Sequence, residues 1–421
     1  MNHCNSRKHL MILGAGPPQL SGIQKAVALG YEVTTVDYSP DNVGHRHSHH
    51  YVNCSTTDLE GVCDAARRLG VNGICTFSSD IAVPTIGYVC DELGLPGVSF
   101  EAARILTSKN KFREFLHAEG LSHPASIAGD RGAALVVGAK GLRFPVIVKP
   151  DDASGSRGVS RVDQPEADVL SEAIEYAKHH SRSSTVCIEE FLAGEEVGGD
   201  AYVMNGRIAF IAITHKHLDG FVVTGHSLPG SISRQDQQRV VQELACACAR
   251  LGYRTGPLNF DVMVMADRVV ILEMSARNGG NGIAAVIEHA MGIDVEQMTI
   301  RGAVDDLPAP FDGQVLPAPA AGIGVHVFGS PIAGTLQRIS SLSELQAAVP
   351  DVLALFLAHR RGARVQPFRN NGNLLGYVLF RFPAGGYVDT VDRIRRVLRI
   401  RVDVDDKPPS SSFTRRSAAP A

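Results

Sequence analysis

The chain has no run of about 20 apolar residues, so it contains no segment of the length a membrane-crossing helix needs. Near residue 1 a polar stretch gives way to only a few apolar residues, too short for the core of a secretory signal. The eight cysteines (Cys4, Cys54, Cys63, Cys75, Cys90, Cys187, Cys246 and Cys248) form no C-x-x-C pair and show no zinc-site spacing. They read as reduced thiols in a cytoplasmic protein, with Cys248 on the apolar face of a helix beside Val241, Leu244 and Leu251. Charge of one sign is also missing. A formal net charge of -3 gives no electrostatic reason to expect a nucleic-acid or anionic-membrane partner. The phosphate loop G-x-x-x-x-G-K-[ST] is absent.

What is present is ordinary for a globular chain: 44% hydrophobic and 20% charged residues over 421 positions. At roughly 100–200 residues per domain, that length predicts two to four domains. Up to residue 107, short apolar strands (9–13, 31–36, 73–77) alternate with helical segments (to 28, 59–69, 81–93), the pattern of a parallel sheet covered by helices. Ser108 has the character of an N-cap for a helix carrying Phe112, Phe115 and Leu116, closed by Gly120. Strands follow at 146–149 and 185–191, with a helix at 167–179 between them. Asn205-Gly206 between two apolar runs marks a hairpin. A helix over 235–251 precedes a second hairpin, 258–265 and 269–274. Pro308, Pro310, Pro317 and Pro319 suggest a boundary. Beyond it, strands at 322–328, 363–366 and 374–382 and helices at 342–348 and 388–398 read as a small α+β domain. The Pro/Ser/Ala-rich end from about 407 reads as a disordered tail.

Gly14-x-Gly16 after a strand, with Asp37 ending the next one, invites a dinucleotide-binding reading. Gln19 stands where the third glycine belongs and two prolines interrupt the turn, so a tight strand-to-helix turn is the simpler account. His45, His47, His49 and His50 fall in an early loop without a suitably spaced carboxylate and read as solvated. More informative is the strand that delivers Lys149 and Pro150 into Asp151-Asp152-Ala153-Ser154-Gly155-Ser156-Arg157-Gly158. A Gly/Ser loop can wrap backbone N–H groups around phosphate oxygens, and the lysine adds a point charge.

Asp261 and Glu273 stand in otherwise apolar strands, where a carboxylate is costly without a partner. Hard oxygen donors of this kind suit Mg²⁺ (or Mn²⁺). Cross-strand register offers a test. A three-residue loop, 266–268, sets Asp261 directly opposite Glu273, whereas a two-residue loop puts them on opposite faces.

With these segments in this order, the chain resembles the ATP-grasp superfamily over roughly residues 12–307. The likeness is closest to the branch holding amino-acid ligases, D-alanine–D-alanine ligase and relatives of carbamoyl phosphate synthetase. The resemblance implies an N-terminal parallel α/β domain (1–107) and an ATP-grasp domain (108–308) of two α+β subdomains gripping ATP, with a lid subdomain at about 145–192. A C-terminal α+β domain (309–406) and the tail (407–421) complete the layout. By resemblance, Lys109 and Lys149 are the nucleotide lysines, and Ser154, Gly155, Ser156 and Gly158 belong to a mobile phosphate lid. Glu189, Glu190, Phe191 and Leu192 form the adenine strand and hinge; Glu189 faces the adenine amino group, Leu192 offers a backbone N–H and Glu196 holds the ribose. Glu273-x-Ser275-x-Arg277 is similar to the family's E-x-N-x-R segment, with Ser275 in place of a metal-binding Asn. Arg277 would hold the γ-phosphate or the substrate carboxylate, while Gly279-Gly280 would bring N–H groups to developing charge. Lys216 would reach phosphate and His226 would line the substrate pocket.

The implied activity is ATP-dependent joining of a small carboxylate to an amine through an acyl phosphate, releasing ADP and phosphate, with ATP and magnesium required. Two rivals remain: a bicarbonate-activating carboxylase or carbamoyl-phosphate-type enzyme, and an ATP-binding regulator without catalysis. Homodimerisation is an expectation by analogy alone.

Overall fold

The computed structural model describes residues 7–307 and 321–404. The proline-rich boundary, Cys4 and the tail from 407 lie outside the described residues. Among those described, no helix is long and apolar enough to cross a membrane.

The N-terminal region is a four-stranded parallel sheet in the order His50–Asn53, Glu32–Asp37, His9–Leu13, Gly73–Cys75. The strand His9–Leu13 is buried along its whole length, as expected of a strand covered on both faces. Helices Leu20–Ala28, Leu59–Leu69 and Val83–Leu93 pack around it, and the last two end at left-handed Gly70 and Gly94. The histidine-rich stretch is not all loop. His50 opens the edge strand and binds Glu32, while His45 bonds to Thr35. The Gly14–Gly16 turn is filled by the chain itself. Ala15 donates its N–H to Asp37, and the Gln19 amide reaches the Phe77 carbonyl.

A small antiparallel sheet follows, in the order Ser126–Gly129, Val186–Glu190, Val146–Pro150, Ser160–Val162. Helices Gly132–Ala139 and Ala167–His180 cover it, giving a separate core of Leu135, Val148, Leu170, Ile174 and Ile188. This subdomain starts near residue 126, about twenty residues before the lid boundary read from the sequence, because Ser126–Gly129 pairs with Val186–Glu190.

The largest element is an eight-stranded antiparallel sheet: Val269–Ser275, Gly256–Val264, Glu195–Met204, Arg207–Asp219, Val222–Leu228, Gly322–Gly329, Leu374–Phe382, Val352–Leu357. Its last three strands come from beyond the proline-rich boundary, so that boundary divides the chain but not the sheet. Asn205 and Gly206 both take positive φ, 51° and 73°, as a tight hairpin of right-handed strands requires. Along Gly256–Val264, Leu258, Phe260 and Val262 are buried while Asn259 and Asp261 are half-buried. The period of two sends the apolar side chains to the core and the polar ones to the other face. Helix Val295–Ala303 ties this body to the N-terminal sheet, with Ile300 and Ala303 in one core with Leu10 and Ile12.

Candidate active site

A cleft of about 160 Å³ opens between the small sheet and the large one. Its walls include Lys109, Lys149, Ser154 to Arg157, Glu189 to Leu192, Glu196, Lys216, Asp261 and Glu273. A second hollow of about 400 Å³ adjoins it. Lys109, Ser154 and Glu273 belong to both, and Ser78, Ser79 and Asp80 of the N-terminal region close the far side. Most of the sequence-predicted residues therefore come together between the small and large sheets; Gly158, His226, Ser275 and Arg277 do not line the cleft.

Asp261 does face Glu273, but not by the predicted loop. The hairpin closes with Met265 N–H donating to the Arg268 carbonyl at 2.9 Å and Val264 opposite Val269, a two-residue register. That register alone would set the carboxylates on opposite faces. A β-bulge corrects it, since Val262 pairs with Ile271 and Asp261 with Glu273, leaving Leu272 as the extra residue. The Leu272 carbonyl accepts from Arg113 Nη2 at 2.8 Å. Arg113, on the helix Lys109–Ala118, thus pins the bulge that aligns the two carboxylates.

The same arginine reaches the hinge. Arg113 Nε lies 3.0 Å from Glu189, whose other oxygen receives Lys149. Lys149 and Glu189 lie diagonally on one face of paired strands, because Ile147 is opposite Glu189. Burial by itself would raise the Glu189 carboxyl; Arg113 and then Lys149 outweigh it and hold it at about 2. Glu189 accordingly serves as the counter-ion of two cations rather than standing free for an adenine amino group. Glu190 accepts from the Arg143 backbone at 2.9 Å, and Phe191 carries the Arg161 guanidinium 4.5 Å above its ring.

Ser108 caps its helix as expected, accepting from Lys111 N–H at 3.2 Å. Asp151 adds a second cap from a distant strand end, with Asn110 N–H at 2.7 Å and the Ser108 hydroxyl at 2.8 Å. This locks the helix bearing Lys109 to the start of the lid, and Lys109 Nζ donates to the Ala153 carbonyl at 2.7 Å. Ser154, Gly155 and Ser156 line the cleft. Gly158 does not. It is buried with φ 72°, and a Cβ there would lie 2.8 Å from both Pro150 and His180, so its role is packing.

Lys216 lies in the cleft with its ammonium 2.6 Å from Glu196 and 2.8 Å from Asp261. Burial disfavours the charge, but Asp261 and then Glu196 prevail and raise its pKa. His226 is not on the cleft wall. It sits opposite Lys216 across the strand pair but is 2% exposed, with its Nδ1 2.9 Å from the Thr214 hydroxyl. Burial, then Lys216, push its pKa well down, so it is a neutral sheet residue.

Arg277 does not reach the cleft directly. Its Nε and Nη2 each lie 2.8 Å from one oxygen of Asp80, a bidentate pair, and Nη1 lies 2.7 Å from Asn259 Oδ1. Ser275, assigned to the metal by resemblance, instead gives its hydroxyl to Asp80. Burial opposes ionisation of Asp80 and Arg277 overrides it, keeping the carboxyl below its ordinary value. Gly279 has also spent its N–H, donating to buried Asp200 at 2.8 Å, so it is not free for developing charge. Burial lifts the Asp200 carboxyl to about 6.

Arg113, Asp80 and Asp200 received no role in the sequence reading, and Asp151 entered it only as a member of the Gly/Ser loop. Arg113 follows Phe112 one turn beyond Lys109, on the helix that Ser108 caps. As for the metal, among the described residues no three His, Cys, Asp or Glu side chains cluster to hold an ion. The donor set on the face is the carboxylate pair Asp261 and Glu273, which suits an ion that takes its remaining oxygens from phosphate and water.

Comparison with known proteins agrees with this layout. Residues 142–285 match the model of the ATP-grasp domain. The uncharacterized protein y4rH of Sinorhizobium fredii is 27% identical over 351 residues, 80% of this chain and 70% of that one. Alanine–anticapsin ligase of Bacillus subtilis is 25% identical over 281 residues, 59% of this chain and 58% of the ligase, so the chain spans little more than half of that relative. The crystal structure of L-amino acid ligase from Bacillus licheniformis superposes with a TM-score of 0.78 at 22% identity, covering 94% of this chain and 99% of that one. The last likeness is one of fold.

Proposed function

We propose that this ATP-grasp chain is an ATP- and magnesium-dependent ligase that joins the carboxylate of an amino acid or other small acid to an amine. The observation that carries the reading is the convergence of three lysines and two facing carboxylates on one cleft, next to a hollow walled by Asp80, the carboxylate that Arg277 holds from behind.

Lys109, Lys149 and Lys216 supply the positive charge a triphosphate needs, each now held by a carbonyl or carboxylate that the phosphates would replace. The backbone around Gly155 and Ser156 approaches the same space. Asp261 and Glu273 would hold the magnesium ion, which when bound neutralises the phosphate oxygens and orients the terminal one. In-line attack by a carboxylate on that phosphate asks mainly for positioning and charge stabilisation. The resulting acyl phosphate is then captured by an amine while the closed lid excludes water.

The Asp80–Arg277 pair speaks for an amino acid as the activated acid. A bidentate carboxylate on guanidinium is the contact an α-carboxylate makes with arginine. An incoming zwitterion offers Arg277 a carboxylate and Asp80 an ammonium, so each half of the pair exchanges one partner for an equivalent one. The neighbouring hollow, of about 400 Å³, leaves room for a small acceptor.

The test is ADP and phosphate release from Mg–ATP with mixtures of amino acids and simple carboxylates, for wild type and Asp80→Asn. Release that needs two substrates together, with Asp80→Asn raising KM for the amino acid while nucleotide affinity holds, supports the reading. Release with bicarbonate alone replaces it with a carboxylase-type reaction. Tight ATP binding without turnover in any mixture replaces it with a regulator.

A further inference from the structure

The lid over the cleft is gripped from outside the ATP-grasp domain. Asn371 lies in a short turn, Asn371–Asn373, between strands Arg364–Val365 and Leu374–Phe382. Its backbone N–H donates to the Gly155 carbonyl at 3.0 Å. Its side chain, only 7% exposed, behaves like an extra strand residue: Oδ1 accepts from Val223 N–H at 3.0 Å and Nδ2 donates to the Val223 carbonyl at 2.8 Å. Nδ2 also points at Asn281 Oδ1, 3.5 Å away, in the loop just past Arg277 and Gly279.

The fit is close on both sides. A Cβ on Gly155 would lie 3.5 Å from Asn371 Cβ, and one on Gly372 would lie 3.2 Å from Arg157 Cδ. The lid has a second tether on the same hairpin that Asn371 clamps, where the Ser156 hydroxyl donates to the Phe221 carbonyl at 2.6 Å. Leu218 and Phe221 of that hairpin line the nucleotide cleft. Through its side-chain amide and its backbone N–H, one buried residue therefore joins the C-terminal region, the tip of the Arg207–Asp219/Val222–Leu228 hairpin and the glycine of the lid.

A plain packing role would bury an apolar side chain here. A buried amide with both polar atoms satisfied by one backbone residue fixes direction as well as distance, because losing either bond leaves a buried group unpaired. Lid loops are otherwise drawn from the least stable parts of a fold, since they must open to admit and release ligands.

We infer that Asn371 is a positioning residue for the reaction: it latches the Gly155 lid in its closed setting over the nucleotide phosphates, and so makes the C-terminal region part of the catalytic cycle. The inference rests on the nucleotide-site reading above. It assigns Asn371 no contact with substrate; its side chain holds the turn, and the turn's N–H holds the lid.

The experiment is hydrogen exchange of the segment 152–159 with and without Mg²⁺ and a non-hydrolysable ATP analogue, alongside calorimetric titration of the analogue. Three variants are compared with wild type. Asn371→Ala removes the clamp. Asn371→Asp keeps the acceptor for Val223 N–H and the size, and so reads out even where the alanine variant unfolds. Asn373→Ala breaks a bond of the same turn, Nδ2 to the Pro367 carbonyl at 3.0 Å, that does not lead to the lid. The expected result is nucleotide protection of 152–159 in wild type and Asn373→Ala, most of it lost in Asn371→Ala and part of it in Asn371→Asp. In turnover, kcat for Asn371→Ala falls by up to roughly 10²-fold from misplacement, and ADP released per amide formed rises as water enters. Equal protection in wild type and both Asn371 variants overturns the latch while leaving the nucleotide site intact. Absence of both protection and binding in wild type overturns the nucleotide reading, and the latch with it.

Discussion

Replacing Arg113 by Met removes one side chain that does two jobs. It is 3% exposed, bonded to Glu189 at 3.0 Å and to the Leu272 carbonyl of the bulge at 2.8 Å. Without it, Glu189 stays buried with Lys149 as its single cation. A Glu189 carboxyl held at about 2 rather than 4.5 stabilises the folded chain by roughly 3 kcal/mol at neutral pH, at about 1.4 kcal/mol per pH unit. Breaking a buried pair by removing one partner typically costs about 3–5 kcal/mol, so the two lines of reasoning agree. Because the folded pKa lies below the free value, this contribution is complete above pH about 4.5 and is lost as pH falls towards about 2. Urea unfolding at pH 7 should show Arg113→Met destabilised by about 3 kcal/mol or more. Glu189→Gln alone should also destabilise, since it strips Arg113 and Lys149 of their shared carboxylate, and the double variant Arg113→Met/Glu189→Gln should lose at least about 1 kcal/mol less than the sum of the two single variants. A loss below about 1 kcal/mol in Arg113→Met, or single-variant losses that simply add in the double variant, refutes the counter-ion argument.

Two further outcomes follow from the geometry. Burial, then Arg395, hold His326 at about 4, and burial and Lys216 push His226 well down, so between pH 6.5 and about 4 the unfolded chain binds protons that the folded chain refuses. Stability should fall as pH drops through that window, each histidine adding up to about 1.4 kcal/mol per pH unit, and His226→Gln should flatten the slope in pH-dependent melting curves. Gly279→Ala should cost about 1–3 kcal/mol, because the new Cβ would sit 2.7 Å from Asn259 Nδ2 and 2.9 Å from Asp200 Oδ1; since Asn259 also holds Arg277, KM for the acid should rise with it.

Much of the scaffold was legible residue by residue. The helices read at 59–69 and 342–348 are found at Leu59–Leu69 and Leu342–Ala348, and Ser108 caps its helix as its position indicates. Short edge elements such as His50–Asn53 and Ser126–Gly129 escaped, since four half-exposed residues carry no clear period. The helix Gly132–Ala139, mostly Ala, Val and Gly, carries little amphipathic contrast either. In the cleft, Lys149, Asp261 and Glu273 were legible from a strand end before a glycine-rich loop and from carboxylates in apolar strands, whereas Lys109 and Glu196 were assigned by family resemblance alone; all five line the cleft.

The sequence by itself determined which groups are available: the lysines, the carboxylate pair and the lid glycines, because backbone preference and side-chain periodicity act over a few neighbouring residues. Only the tertiary structure decided how those groups are spent. The loop rule for Asp261 and Glu273 failed at the turn and was rescued by the bulge at Leu272, held by an arginine 159 residues away in the chain. Ser275 and Arg277 are claimed by Asp80 from 195 and 197 residues away, and Gly155 by Asn371 from the last third of the chain. A buried polar group must find a partner wherever the fold supplies one. No local pattern records that choice, because the partner is brought near only when the sheets have packed.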